Sequence, residues 1–219
     1  QATYEALIAK DPSDALSNYL LGQIFILQGQ IHRTPTFFQK AKEVYNKAMT
    51  TTNQNPLIMV GVGHLELLEG KNAESRAHFE AAIAATASKK NKKYGDPAIL
   101  NAIVRANGSG DSKIGDTQYA VQKATQSEEL LGATPDMFTS LGVIYLKGGG
   151  ENDGIAKRAF EKALALDPNY APAFWRIGRI FESQRNPEMF LGYYEKAINA
   201  NPKFALAYLS LYEYYKNRD

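Results

Sequence analysis

Residues 135–170 read PDMFTSLGVIYLKGGGENDGIAKRAFEKALALDPNY, and residues 171–204 read APAFWRIGRIFESQRNPEMFLGYYEKAINANPKF. The two segments align in register, so that Gly142 falls on Gly178, 36 residues further along the chain. Aromatic, aliphatic and small residues recur at matching positions around these glycines. Self-similarity at a fixed period of roughly 20 to 50 residues is typical of architectures built from stacked units. The sequence therefore predicts a repeat protein, and these two segments define its repeat.

Each repeat has the pattern of two helices joined by a turn. Gly142 lies in the first helix, where its missing side chain lets the second helix approach closely, and Ala163 does the same from the opposite side. Phe160 fills the space beside this contact. Because the residue before a proline is disfavoured in a helix, the second helix is predicted to end at Asp167. Pro168 is then predicted to start the next helix.

The repeat recurs along the whole chain, with longer spacings towards the N-terminus. Successive equivalents of Gly142 are separated by 41, 41, 38, 36 and 34 residues, and the excess over 34 is predicted to lie in loops. These equivalents are Gly22, Gly63, Val104, Gly142, Gly178 and Tyr212. We therefore predict one continuous array over residues 1–219 without a domain boundary. Its repeats are about residues 13–54, 55–95, 96–133, 134–170 and 171–204, between partial repeats at 1–12 and 205–219.

The first repeat departs from the regular pattern between its two helices. Residues 28–30 (Gln-Gly-Gln) are predicted to end or loosen its first helix. A linker several residues longer than usual, containing His32, is predicted to precede a second helix at roughly residues 35–51.

Glycine-rich and lysine-rich segments in later repeats are interpreted as turns and loops. Residues 107–116, which include Lys113, lack the residue order of a phosphate-binding loop and the ligand spacing of a calcium-binding loop. Residues 148–154 (GGGENDG) are interpreted in the same way. Four lysines between residues 88 and 94 could suggest a nucleic-acid or anionic partner, but a solvated loop between repeats is favoured.

The residues shared by the repeats resemble the tetratricopeptide repeat family. The shared pattern is an aromatic residue, Leu-Gly and a second aromatic residue in the first helix, then a small residue, Phe or Tyr, Ala and Pro after it. The resemblance implies an all-α fold, a right-handed α-α superhelix or solenoid of stacked helix-turn-helix units. It also implies a concave groove, lined by the first helices, that binds a protein or peptide segment.

The groove positions of the family can be transferred to this sequence residue by residue. The candidate protein-binding residues are Tyr19, Gln23, Val60, His64, Asn101, Arg105, Thr139, Val143, Trp175, Arg179 and Glu182. Trp175 and Arg179 lie four residues apart on one helix face, and such a pair is typical of an interface hot spot. Packing of Trp175 against a neighbouring repeat is an equally favoured alternative. Some family members bind the C-terminal carboxylate of heat-shock chaperones with a clamp that includes lysines, and the corresponding positions here hold none, so that partner class is not expected.

Composition and motifs exclude several other functions. A net charge of +2 argues against nucleic acid as a partner. The sequence contains no run of about 18 apolar residues, so no membrane span is predicted. The absence of cysteine rules out disulfides and leaves the cytoplasm and the periplasm equally open. His64 and His78 fall in one repeat, but no carboxylate accompanies them at ligand spacing, so neither a metal nor another cofactor is predicted. No nucleophile motif is present, and the chain is not predicted to be an enzyme.

Two functions remain for the chain. The favoured one is a non-catalytic protein–protein interaction scaffold whose groove binds a peptide or protein segment. The alternative is a structural spacer or self-association element of a larger multidomain protein, with the tyrosine-rich last helix from residue 205 onwards as the contact surface. Because the first residues look like the second half of a repeat, we expect the chain to be an excerpt of a longer protein.

Overall fold

The computed structural model describes residues 1–87, 94–110 and 114–216. These residues form α-helices, one short 3₁₀ helix and connecting turns, and no strand is present among them. They fall into two compact units, Gln1–Gly132 and Ala133–Asp219. We refer to these as the N-terminal and C-terminal units. A single continuous array over both units stays a prediction.

The N-terminal unit consists of helices that pack against their neighbours in sequence. They are α1 (Ala2–Lys10), α2 (Ala15–His32), α3 (Pro35–Thr51), α4 (Pro56–Leu68), α5 (Asn72–Thr86), α6 (Pro97–Gly108) and α7 (Thr117–Glu129). The pairs α2–α3, α4–α5 and α6–α7 pack most closely, and α1 packs on α2. The first helices of successive pairs, α2, α4 and α6, also contact one another.

The C-terminal unit is built in the same way. Its helices are α8 (Pro135–Leu146), α9 (Asp153–Leu166), α10 (Ala171–Ser183), α11 (Pro187–Ala200) and α12 (Ala205–Lys216), with a 3₁₀ helix at Gly150–Asn152 before α9. The pairs are α8–α9 and α10–α11, and α12 packs on α11. The predicted all-α fold of helix-turn-helix repeats is therefore confirmed.

A glycine of the first helix lies against an aromatic ring of the second helix in four of the pairs. A Cβ atom added at Gly142 would lie 2.2 Å from the ring of Phe160, closer than any side chain can approach. The other contacts of this kind are Gly22 with Tyr45, Gly63 with Phe79 and Gly178 with Tyr194. The glycine therefore makes room for the ring itself, in addition to shortening the distance between the helices.

The third pair, α6–α7, lacks this contact between a glycine and an aromatic ring, and other side chains fill the space. Val104 stands in the position of the glycine and is completely buried. The buried residues of α7 include Ala120, Ala124 and Ser127, at the same spacing as Ser75, Phe79 and Ala82 of α5. Ala124 therefore occupies the place of the aromatic ring, so a larger residue in the first helix is matched by a smaller one in the second.

The first helix of the first repeat is longer than predicted. α2 continues through residues 28–30 and ends at His32, which lies in its last turn and not in a linker. Gly29 is buried, and a Cβ atom there would lie 2.9 Å from the ring of Phe38 in α3. This packing offsets the cost of a helical glycine, about 1 kcal/mol relative to alanine. The helix ends where Arg33 adopts a left-handed φ of 51°. The prediction of a long linker is wrong, because the additional residues lengthen the helices instead.

The prolines that follow α9 and α11 do not start the next helix. α9 ends at Leu166, but α10 begins only at Ala171, so the predicted position of Pro168 in that helix is wrong. The Asp167 carboxylate accepts a hydrogen bond from the backbone N–H of Asn169 at 3.0 Å, which stabilises a turn containing the proline. Pro172 takes the first-turn position in α10 instead.

In the glycine-rich segment of the third repeat, Asn107 and Gly108 end α6, and the described residues 109–110 and 114–116 form the connection to α7 that was expected. The Asn107 side chain accepts a hydrogen bond from the backbone N–H of Asp116 at 2.9 Å and so ties the end of α6 to the start of α7. Lys113 and the lysines of residues 88–93 lie outside the described residues. The segment at 148–154 contains the 3₁₀ helix and the first residues of α9.

Candidate functional site

Hydrogen bonds connect three candidate residues of the N-terminal unit, Tyr19, Gln23 and His64, into a chain that joins α2, α3 and α4 to the residue after α6. The Tyr45 hydroxyl donates to the Tyr19 carbonyl at 3.1 Å, and the Gln23 amide nitrogen donates to that hydroxyl at 2.9 Å. The Gln23 amide oxygen lies 3.2 Å from His64 Nδ1, and His64 Nε2 contacts the Ser109 hydroxyl. Tyr19 and His64 are only 2% and 3% exposed. Both residues therefore take part mainly in the internal structure of the unit.

Burial determines the ionisation of the tyrosine at the centre of this chain. Desolvation raises the pKa of Tyr45 well above its ordinary value, and the neighbouring Tyr19 adds to the effect. Tyr45 therefore keeps its hydroxyl hydrogen and remains a donor to the Tyr19 carbonyl. Neither Tyr45 nor Ser109 was among the sequence-predicted site residues, since the repeat pattern marks aromatic positions without indicating which hydroxyls find partners.

The remaining candidates of the N-terminal unit are also mostly internal. Val60 is completely buried. Asn101, 5% exposed, donates to the Gly132 carbonyl at 2.8 Å and accepts from the Ser127 hydroxyl at 2.7 Å. Arg105 is half-buried on α6. Within this unit, only Gln23 and Arg105 combine a candidate position with a partly accessible side chain.

The C-terminal unit places two of its candidates on α8. Thr139 is 8% exposed, and its hydroxyl donates to the Pro135 carbonyl at 2.9 Å within the same helix. Val143 is half-buried. These residues supply packing and a small apolar surface, without a free polar group that points to a particular ligand.

Trp175, in α10, packs against α12 and against the residue that precedes it. Its indole N–H donates to the Ser210 hydroxyl at 3.0 Å, and its ring meets Phe204 edge-on at 6.1 Å. The structure thus favours the packing interpretation of this residue, which the sequence left open. The half-buried indole is a structural support for the residues beside it.

Two arginines on α10 lie next to this indole. The Arg176 guanidinium lies over the Trp175 ring, 4.6 Å from its centroid. Burial, and to a lesser extent the positive charge of Arg179, lowers the pKa of Arg176, and Arg176 forms no ion pair with any described residue. Arg179 donates to the Glu182 carboxylate at 2.6 Å. Arg176 was missed at the sequence level because the transferred groove positions skip it; the visible signal was a second arginine three residues before Arg179.

Glu182 is shared between two donors. The same carboxylate oxygen accepts from the Tyr194 hydroxyl at 2.8 Å and from Arg179. Desolvation and the Glu182 contact both raise the pKa of Tyr194, which therefore stays a neutral donor. The Glu182 carboxylate thus accepts hydrogen bonds from a tyrosine and an arginine. Since Arg176 and Arg179 both lie on this face of α10, it carries more positive charge than Glu182 can neutralise.

The described residues offer little basis for metal chemistry. His78 Nδ1 lies 2.7 Å from the Glu66 carboxylate, whereas His64 bonds to Gln23 and Ser109. No group of three or more potential ligands comes together within ranges 1–87, 94–110 and 114–216. In the same ranges, no helix combines the length and apolar character that a bilayer crossing requires.

Comparison with known proteins gives a family match for part of the sequence and structural matches for most of the chain. Residues 154–208 match the family model described as tetratricopeptide repeat. No curated protein sequence matches the chain. A thermophilic TPR protein of Thermus thermophilus superposes with a TM-score of 0.57 at 16% identity, over 86% of this chain and 96% of that one.

Two further solved structures have the same fold at low identity. Yeast Tom70 gives a TM-score of 0.59 at 17% identity, and this chain covers 40% of it with 95% of its own length. PilF of Pseudomonas aeruginosa gives 0.54 at 18% identity, over 94% of this chain and 86% of that one. The resemblance seen in the sequence is therefore confirmed: residues 154–208 match the tetratricopeptide repeat model, and most of the chain has the fold of solved tetratricopeptide repeat proteins.

Proposed function

We propose that the chain is a non-catalytic protein–protein interaction scaffold that binds a peptide or protein segment on the exposed face of its first helices. The observation that carries this proposal is the pair Arg176 and Arg179 on α10. Catalysis, a cofactor and nucleic acid form no part of it. Tetratricopeptide repeats present a row of first helices, and such a row is an extended surface for a partner.

The energetics of Arg176 support an acidic group as the partner's contact. A guanidinium that has lost part of its water without gaining a carboxylate is unfavourable, and a second guanidinium nearby increases the cost. Arginine binds carboxylates through two parallel hydrogen bonds, which gives both affinity and orientation. We therefore expect the bound segment to carry an aspartate, a glutamate or a terminal carboxylate at this point.

The test replaces the two arginines and leaves the indole in place. Since Trp175 supports the packing of α12, its substitution would confuse loss of binding with loss of structure. Arg176→Gln combined with Arg179→Gln keeps side-chain length and removes both charges. Arg185→Gln is the matched control, because Arg185 is exposed in the turn after α10.

Partner capture from a lysate of the source organism, followed by mass spectrometry, is the measurement. We expect a specific partner to be retained by the wild type and by the Arg185 variant and lost from the double variant, with unchanged melting temperatures. A partner retained equally by all three proteins would overturn the assignment of this face as the binding site.

Self-association through α12 is the second candidate function, and one observation favours it. Several of its large side chains are about half exposed within the described C-terminal unit. They are Leu206, Tyr208, Leu209, Tyr212 and Tyr215, with exposures of 44%, 46%, 50%, 60% and 57%. Sedimentation at rising concentration would test this function, with Leu209→Lys as the variant that should weaken association. A wild-type protein that remains monomeric at the highest concentration would count against it.

A further inference from the structure

Exposed apolar side chains are concentrated on the first two helices and on the last helix. Of the thirteen large hydrophobic residues that are exposed in the described parts of the chain, nine lie on α1, α2 or α12. One set, which we call the N-terminal face, consists of Leu7, Leu16, Leu27 and Ile31. The other set, the α12 face, consists of Leu206, Tyr208, Leu209, Tyr212 and Tyr215.

The tyrosines of the α12 face lie where other first helices receive their second helix. Tyr208, Tyr212 and Tyr215 are four and three residues apart, so they share one side of α12. Tyr212 is the equivalent of Gly178, which in α10 lies against the ring of Tyr194 in α11. No second helix follows α12 within the described residues, so this side of the helix is left open.

The helix α1 has the opposite arrangement, that of a second helix without a first. Tyr4 and Leu7 have the spacing of Phe160 and Ala163 in α9. Phe160 packs against the first helix α8, and Ala163 is completely buried, whereas Leu7 is 42% exposed. In the part of the chain that the structure describes, no first helix is paired with α1.

The helix α2 extends this open surface, because α1 packs on it. Leu16, Leu27 and Ile31 are 11 and 4 residues apart, close to whole numbers of helical turns, so they form one stripe along α2. Together the two helices present an apolar surface on which a further first helix would have both a second helix and a next first helix to contact. Within the N-terminal unit, α2 itself makes these two contacts, with α3 and α4.

We propose that the α12 face of one copy of this chain packs on the N-terminal face of a second copy. In this contact α12 takes the place of a first helix beside α1 and α2, so the packing of successive helix pairs continues from one molecule to the next. The proposal rests on self-association through α12, the second candidate function above. It adds the surface that α12 meets.

Bulky side chains determine the closeness and the strength of this contact. Tyr212 and Leu7 stand where the regular pairs have a glycine and an alanine, so the two helices pack at an ordinary distance of about 8 to 10 Å. The three half-exposed tyrosines alone offer about 300 Å² of surface, since an aromatic side chain buries about 150 to 250 Å². Each partner in a standard interface contributes about 800 Å², so we expect a reversible association that requires high protein concentration.

The proposed contact joins two different surfaces, and its symmetry follows from that. Contacts of this heterologous kind produce rings or open chains, because each added copy brings a further pair of faces. Contact between two α12 faces would instead be isologous and would stop at the dimer. The two arrangements also differ in whether the N-terminal face is needed at all.

The test mixes two variants that each have one altered face. Leu7→Lys with Leu16→Lys alters the N-terminal face, and Leu209→Lys alters the α12 face. In sedimentation velocity at rising concentration, each variant alone should associate at least about tenfold more weakly than the wild type, because the contact would bury an unpaired lysine. An equal mixture should form dimers, since one intact face of each kind remains. It should not grow further, because the two altered faces carry the same charge.

Leu166→Lys is the matched control for these substitutions. Leu166 ends α9 outside both faces and is 51% exposed, close to the 57% of Leu16. Its variant should associate like the wild type. Circular dichroism and the melting temperature show whether each variant is folded.

Cross-linking gives a second measurement that needs no lysine in the contact. The chain contains no cysteine, so Leu7→Cys and Tyr212→Cys each introduce a unique thiol. A short bismaleimide should join the Leu7→Cys protein to the Tyr212→Cys protein more efficiently than it joins either protein to itself.

The outcomes separate this proposal from self-association as such. A wild type that stays monomeric at the highest concentration would overturn both. Self-association that the Leu7/Leu16 variant retains, or cross-linking of the Tyr212→Cys protein mainly to itself, would overturn only the proposed contact, because α12 would then meet another surface. A mixture that remains monomeric, or equal weakening by Leu166→Lys, would also overturn it.

Discussion

The contact between Gly142 and Phe160 predicts that one added methyl group will have opposite effects at two glycines of the same unit. In Gly142→Ala, the new Cβ would lie 2.2 Å from the Phe160 ring. Phe160 is completely buried, so the ring cannot move away without disturbing the core. Overpacking of this kind costs typically 1 to 3 kcal/mol, against which alanine returns about 1 kcal/mol of helix propensity. Because 2.2 Å is much shorter than any real Cβ contact, the upper part of this overpacking range applies, about 2 to 3 kcal/mol. We therefore expect a net loss of about 1 to 2 kcal/mol in the free energy of unfolding.

Gly192 provides the matched control. It lies inside α11, and no atom is within 4 Å of a Cβ atom added there. Gly192→Ala should therefore keep only the gain in helix propensity and stabilise the protein by about 0.5 to 1 kcal/mol. The two substitutions are chemically identical, so their difference isolates the steric contact.

Urea denaturation followed by circular dichroism is the assay, and a double-mutant cycle with Phe160→Leu completes it. Because the smaller side chain leaves room for the methyl group, the cost of Gly142→Ala should shrink by at least about 0.5 kcal/mol in the Phe160→Leu background. A Gly142→Ala protein as stable as the Gly192→Ala protein, or a cycle without coupling, would show that the ring does not need the space left by the glycine.

Three further predictions concern caps, buried polar groups and local stability. Asp14 caps α2 by accepting hydrogen bonds from Leu16 and Ser17, so Asp14→Ala should cost about 1 kcal/mol at pH 7. The hydrogen bonds from Ser17 lower the pKa of Asp14 in the folded state. Its contribution should therefore be complete above the unfolded pKa of about 3.9 and be lost as the pH falls through the folded value, which thermal melts of both proteins over that range would detect. Asn101→Ala leaves the Gly132 carbonyl and the Ser127 hydroxyl without partners and should cost about 1 to 3 kcal/mol in urea denaturation, whereas the same change at exposed Asn46 should be nearly neutral. Amide exchange measured by mass spectrometry should be faster in the pair α6–α7 than in α8–α9 and α10–α11, and equal or slower exchange there would contradict the weakness inferred from its altered repeat.

The helix pairs could be predicted from the sequence because the same spacing of glycine and aromatic residues recurs in it. The contact of Gly142 with Phe160 depends on two positions within one repeat, so the sequence of a single repeat is enough to predict how its two helices pack. The length of α2 could not be predicted in this way. Gly29 is unfavourable by local propensity, and only its packing against Phe38 of another helix keeps the helix intact.

The candidate site was less accessible to sequence reasoning than the fold. Positions transferred from a family indicate a helix face but not the exposure of each side chain, and Val60 and Asn101 prove to be buried. Arg176 is the opposite case, a residue that was not predicted and that the structure makes a candidate for binding. It is a candidate because it lies over an indole and forms no ion pair with any described acid. Neither condition can be derived from the spacing of residues along one helix.

The chain of hydrogen bonds from Tyr19 to Ser109 has a mechanical consequence for the N-terminal unit. A stack of helix pairs changes its curvature when successive first helices rotate or slide past one another. Gln23 and His64 connect α2 to α4, and His64 and Ser109 connect α4 to the end of α6, so any such motion would have to break these part-buried hydrogen bonds. We expect these three pairs to behave as one stiff block under load, so that a partner would meet a surface of fixed shape there.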